Sequence, residues 1–582
     1  MAEDRKSRLV LGVARRKLPT SAQLRYINSL LSFRERLIVL GSSILFVASV
    51  LFMGIYYHLS TTHVVAAYGG EYREALVGHP QYINPILSQT NDVDMDLSRL
   101  LFSGLFRRTK DQQLEKDLVT DYSISEDQLT YTFYLRRDAK WHDGQTLTAS
   151  DVLFTIQAIQ DPNYQSPLES SLRGVTAEQV DDYTIKLTLK EPFAPFLSSL
   201  TFGILPQHIW YDAYKVSSQN ITLSGYNVRP IGSGPFMFDS LVKESDGVMK
   251  SYHIVPFKDY YGQKPYLDKV SFYFYSDLDT AKTALQQKKV DGLGFITPEQ
   301  KTALQDDGAN LEYHRLQLPQ YTGIFFNQRH SDVLADDDVR QALVWGVDRN
   351  TIIQDALDGE GEAIYTPILP GYLGYNAEVE KYGFDLEKGK QILNDAGWTI
   401  PEGEQYRKKG DQVLEFGIAT VNQPEFLTTL EVLKANWEAM GVKVNVNVYE
   451  AADIQDQIIK ERDYEALLFG AIIGSDPDPY AFWHSTQMEH PGLALAVFYQ
   501  KNIDDLLETA RQTSDEEQRR LKYFNFQNIL AEELPAIFLY NPYYTYAMNT
   551  DVKGVSSQYI TLPADRFADI LNWHVKTDRV KN

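Results

Sequence analysis

The chain has 582 residues, a formal net charge of −22 and no cysteine. That length exceeds one compact core and predicts several lobes, while the missing thiols exclude disulfides, thiolate metal sites and cysteine nucleophiles. The charge is segregated, +6 over residues 1–36 and −28 over the rest, which excludes nucleic acid as a partner of the acidic body.

Residues 1–36 read as a basic cytoplasmic segment in which Leu24, Ile27, Leu30 and Leu31 fall at helical spacing. Residues 37–57, LIVLGSSILFVASVLFMGIYY, hold no charged side chain. About 20 helical residues cross a hydrocarbon core of roughly 30 Å, so this run is long enough to span. A cleaved signal peptide competes, but its apolar region is usually about 7–15 residues. The longer run and the lack of a lipid-bearing cysteine favour an uncleaved single-pass helix, with the basic flank inside and the body outside. Residues 58–70 read as a linker and 576–582 as a tail.

Beyond the linker, SRLLFSGLFRRT reads as helical, and LTYTFYLRRDAKWHDG as an alternating strand ending in a turn at Asp143-Gly144. TASDVLFTIQAI is an amphipathic helix with Thr148 or Ser150 as its cap. VRPIGSGPFMF is a Gly/Pro turn before a strand. From about residue 320 strands and helices alternate, predicting an α/β lobe, and LPAIFLYNPYYTYAM reads as a strand that re-enters the first lobe.

No nucleophile elbow, P-loop, zinc-helix motif or dinucleotide fingerprint is present, and the 11 histidines lack ligand spacing. No cofactor or metal is expected. His142-Asp143-Gly144 is best explained as turn chemistry. The stretch GAIIGSDPDPYAFWHS places Asp476 and Asp478 one proline apart after an apolar run. Two oxygen donors are few for a hard-cation cage, and neighbours on one short loop rarely flank a glycoside. An extracellular hydrolase using Asp476 and Asp478 therefore stands only as an alternative.

The ordered set EALVGHPQYINPIL, YTFYLRRDAKWHDGQTLTASDVLFT, PIGSGPF, FFNQRHSDVLADDDVRQALVWGVDR, ILNDAGW and DPDPYAFWHS resembles the family 5 extracellular solute-binding proteins, the peptide receptors of ABC importers. The resemblance implies an α/β fold of the type II periplasmic-binding-protein class. It implies lobe I from 64–110, 196–318 and 536–575, an inserted domain at 111–195, and lobe II at 319–535. A hinged cleft would capture a peptide, or a non-peptide solute such as an oligosaccharide or metal chelate, and offer it to a permease complex. In the family's peptide binders an aspartate four residues before the DP proline holds the peptide ammonium. Counting back from Pro479 gives Ser475, with Asp476 one place later, and Ile472 stands where those binders carry tryptophan. The resemblance makes Ala471, Ile472 and Ile473 candidates for backbone pairing, with Ser475 and Asp476 as the replaced anchor. Gln89, Thr90 and Asn91 fall on the facing wall, Tyr540 and Tyr543 are candidate cleft aromatics, and Pro477, Asp478 and Pro479 organise the loop.

Overall fold

The computed structural model describes residues 32–216, 221–245, 247–474 and 476–581. The basic segment and its candidate helix up to residue 31 lie outside the described residues, as does Ser475. The described chain divides into two units, residues 32–67 with 576–581, and Tyr68–Val575.

In the first unit the uncharged run forms the middle of helix α1, Phe33–Thr61. At 1.5 Å per residue its 29 residues extend about 44 Å, and its apolar side chains are exposed around the whole helix. Such a surface is stable only where lipid or protein covers it. Residues 58–70, read as linker, carry the end of α1 and strand β1, Thr62–Ala67. β1 pairs antiparallel with the last strand, Lys576–Lys581, where the sequence suggests a tail. Arg579 closes the helix end, its guanidinium donating to Thr62 Oγ1 at 3.0 Å and Leu59 O at 3.4 Å, a cation where the helix dipole favours one.

The second unit begins with β2, Glu71–Val77, helix α2, Asp92–Leu101, and β3, Phe106–Arg108. The expected helix over SRLLFSGLFRRT therefore stops at Leu101. Gly104 pairs with Gly203 there, and a Cβ on Gly104 would lie 2.8 Å from the carbonyl oxygens of Phe106 and Phe202, so the chain must leave the helix. A four-stranded sheet follows: β4, Val119–Ile124, β5, Thr130–Leu135, then helix α3, Ala149–Gln160, β6, Thr176–Asp181, and β7, Thr184–Thr188. α3 starts where the sequence predicts, Asp151 accepting from the Thr148 amide at 2.9 Å.

Next come β8, Phe236–Lys243, β9, Met249–Pro256, β10, Lys269–Tyr275, β11, Gly292–Ile296, β12, Leu311–Gln317, and β13, Gln320–Phe326. β14, Gly361–Ala363, β15, Glu415–Val421, helix α4, Pro424–Ala439, β16, Lys443–Tyr449, and β17, Ala466–Ile472, follow. Helices α5, Lys501–Gln512, and α6, Glu516–Glu533, lead into the long strand β18, Ala536–Asn549, and β19 is the Lys576–Lys581 strand already met.

The main sheet runs β16-β15-β17-β13-β18-β11-β2-β10-β9-β8, with β12 and β14 pairing β18 off this path. β18 belongs to both halves: Ala536–Tyr540 pair with β13, and Tyr543–Asn549 with β12. The change of partner falls at Pro542, which has no amide hydrogen to give. Asn541, 2% exposed, bridges the spot, its Nδ2 donating to Leu318 O at 2.9 Å and also to Gln320 O. Separate apolar clusters fill the two halves, one around Phe133, Trp141, Phe272 and Trp573, others around Ile324, Trp437 and Leu468 and around Phe325, Trp483 and Phe526.

Candidate functional site

β17 and the loop after it form the centre of the site. ALLFGAI is a buried interior strand, nearly all apolar, bonded to β13 along its whole length. On its other side β17 pairs with β15 only over Ala466–Leu468. Among the described residues, Phe469–Ile472 thus present an unpaired backbone edge on that side. Ala471 is buried and packs inward, Ile472 is 67% exposed, and the Ile473 amide donates to Pro319 O at 2.7 Å. The strand then turns at Gly474, whose φ of +73° suits a residue without Cβ.

The loop's two aspartates are each committed to a different arginine of the helices behind. Asp476 accepts from Arg519 Nη2 on α6 at 2.7 Å, a pair whose side chains are 16% and 6% exposed. Burial pushes the Asp476 carboxyl up against the pull of Arg519. Desolvation also opposes the Arg519 charge, but Asp476 outweighs it and holds that guanidinium above its usual range. Asp478 accepts from Arg511 Nε on α5 at 2.8 Å and from the Tyr480 amide at 3.3 Å. Pro477 and Pro479 are buried, so the loop is pinned at alternate positions. Neither aspartate is left as a free acid or base.

A cavity of about 540 Å³ opens beside this loop, lined by Gly474, by Ser88 and Gln89, by the end of α2 and by Arg107 and Arg108 of β3. Gln89 thus shares a cavity with the loop. Thr90 is exposed, and Asn91 spends its side chain on structure, accepting from the Val93 amide at 2.9 Å and donating to His79 O at 3.0 Å. Tyr540 is fully buried, its hydroxyl donating to Glu425 Oε1 at 2.8 Å. Tyr543 is half-buried beneath the Arg315 guanidinium at 5.4 Å.

Three arginines of the site, Arg108, Arg511 and Arg519, escape sequence reasoning. Arg511 and Arg519 stand 33 and 43 residues from their aspartates, and nothing links position 519 to 476 before the chain is folded. The two glycine motifs are also one unit. His142 Nδ1 accepts from the Gly232 amide at 3.0 Å and its Nε2 lies 3.3 Å from Gly234 O. Both glycines press on the end of α2, where a Cβ on Gly232 would overlap Leu101 O. Burial holds the His142 imidazole down at about 4, so it is neutral and acts as a clasp. Among the described residues no cluster of three His, Asp or Glu could hold a metal ion.

Two α/β halves on one sheet, crossed twice by the chain, with an open-edged strand on one and, walled by the other, a cavity that reaches the first at Gly474, define a type II periplasmic-binding-protein fold. The chain belongs to the bacterial extracellular solute-binding proteins, family 5, whose middle region matches residues 113–490. It is 27% identical over 494 residues to the oligopeptide-binding protein AppA of Bacillus subtilis, covering 84% of this chain and 89% of that one. Among solved structures, the ABC transporter substrate-binding protein CtaP of Listeria monocytogenes superposes with a TM-score of 0.73 at 25% identity, over 88% of this chain and 100% of that one. NikZ of Campylobacter jejuni in complex with Ni(L-His) gives a TM-score of 0.65 at 26% identity, over 87% and 99%.

Proposed function

We propose that this protein is the substrate-binding component of an ABC importer, tethered to the membrane by α1 with its body outside, and that it captures peptides between its two halves. The observation that carries the reading is the open edge of β17 at Phe469–Ile472. An unpaired edge, ending two residues before the Gly474 wall of the cavity, accepts an extended backbone by strand addition, a mode indifferent to side-chain sequence. The kinship to an oligopeptide-binding protein supports it. The two crossings at 318–320 and 541–542, tied by Asn541, are where the halves would hinge as the ligand closes them and the closed form docks on a permease.

Calorimetry on the full-length protein in nanodiscs, with peptides of three to nine residues, tests this reading. Saturable binding is expected, weakened roughly tenfold when one ligand amide facing the strand is replaced by an ester, which cannot donate. Silence across the set sinks the peptide reading. Indifference to the ester in peptides that do bind sinks strand addition.

A further inference from the structure

At the cavity wall and just behind it three arginines meet two aspartates, Arg99, Arg108 and Asp565 lining the cavity, and one cation is left over. Asp476 is taken by Arg519 at 2.7 Å, and Asp565 by Arg99 at 3.5 Å and by the Thr561 and Leu562 amides at 3.1 Å. Arg108, 8% exposed, lies within electrostatic reach of both carboxylates and in an ion pair with neither. Its Nη1 donates to Gln112 O at 2.8 Å, while its Nη2 is buried with no hydrogen-bond partner among the described residues. The cavity's remaining acids are also engaged: Glu115 by Arg107 at 3.3 Å, Asp117 by the Tyr261 hydroxyl at 2.6 Å, and Asp569 by Ser556 and Trp573, each at 2.7 Å. Burial lowers the Arg108 guanidinium from its usual range, as expected of a cation short of counter-charge.

An ammonium arriving here would find Asp476 already neutralised and Arg108 opposing it. A carboxylate would meet a planar donor with a free N–H, the pairing guanidinium favours most. We infer that the ligand presents a carboxylate to Arg108 at this end of the cleft, beside Gly474, rather than a free amino terminus. The inference rests on the solute-binding reading above and assigns the chemistry of one end of that ligand.

The test compares C-terminally amidated pentapeptides of one sequence without Asp or Glu, carrying a free amine, an N-acetyl or an N-succinyl group, with citrate as a non-peptide carboxylate, by calorimetry on the full-length protein in nanodiscs. The succinyl form is expected to bind roughly tenfold to a hundredfold tighter than the acetyl form, with the free amine weakest. Arg108→Gln closes the gap between succinyl and acetyl, and Arg108→Lys keeps part of it. A free-amine peptide that equals or beats its succinyl form overturns the inference while leaving the peptide reading intact. This ranking needs only the unmodified protein, so a variant that fails to fold does not blunt the test. Citrate binding lost in Arg108→Gln, with no peptide bound, keeps the carboxylate and discards the peptide. Silence toward peptides and citrate alike overturns both.

Discussion

Two residues show how burial decides charge in this molecule. The Asp476–Arg519 pair is almost wholly removed from water, so deleting one partner strands the other. Asp476→Asn and Arg519→Met are each expected to cost about 3–5 kcal/mol, and the double variant less than the sum. Urea titration of the three variants measures the coupling, and strict additivity would show that the pair is not an energetic unit. His142 gives a pH signature. Its folded pKa is depressed to about 4 by burial, against an ordinary value near 6.5. A depressed histidine contributes stability that is full above the unfolded value and is lost as pH falls toward the folded one, at most about 3 kcal/mol here. Asp94, raised to about 6 by burial, works the opposite way, losing its contribution as pH rises through that value. His142→Asn should therefore lie furthest below the parent protein in melting temperature at pH 7.5 and close on it by pH 4.5. A constant gap across that range would remove the imidazole titration from the account.

At the scale of elements, β18 is the part on which both halves depend. Its 14 residues change partner at Pro542, and Asn541 supplies the donor that proline lacks by bonding carbonyls of the other crossing. Asn541→Leu should remove both side-chain hydrogen bonds across the crossing, leaving Leu318 O with only the Gln320 amide at 2.8 Å, and cost roughly 1–3 kcal/mol, read as a lower urea midpoint with the slope unchanged. A loss under about 0.5 kcal/mol would deny the crossing its cross-link. Much of this level is legible in the sequence because it is local. The apolar run LPAIFLYNPYYTYAM announces β18, Thr148 and Asp151 announce α3, and the Asp143-Gly144 turn follows from turn chemistry. Partnership is what hides. The alternation of a strand states which face is buried but not which strand lies beside it, so β1 and β19, more than 500 residues apart, read as linker and tail. The helix expected through SRLLFSGLFRRT fails for the same reason, since the close approach at Gly104, three residues past the helix end at Leu101, comes from residues 202–203. In the site, the DP loop is visible by its prolines, while the arginines that neutralise it are not.

The whole molecule turns on what holds its halves together when the cleft is shut. Away from β18, the margin of the 111–195 region touches the opposite half lightly. Gln128 Oε1 accepts from the Ser514 amide at 2.9 Å in an exposed position, and the Arg511 guanidinium lies 5.3 Å from the Phe193 ring. Arg511 is the same side chain that holds Asp478, so the DP loop, the end of α5 and the cleft margin are mechanically linked. An exposed hydrogen bond and a half-exposed cation–ring contact are each worth about 1 kcal/mol or less. Together they bias closure without enforcing it, which leaves the ligand to supply the rest through its better fit to the closed form. The chain has no cysteine, so Glu126→Cys with Glu516→Cys, both exposed, accepts two spin labels without background. Pulsed dipolar spectroscopy of this pair should show a broad distance distribution without ligand and a narrow, shorter one with a bound peptide. Gln128→Ala should broaden the ligand-free distribution further and weaken apparent affinity by up to about fivefold, in proportion to the closed population it removes. A single narrow distance that ligand does not move would mean that the halves are fixed and that binding proceeds without closure.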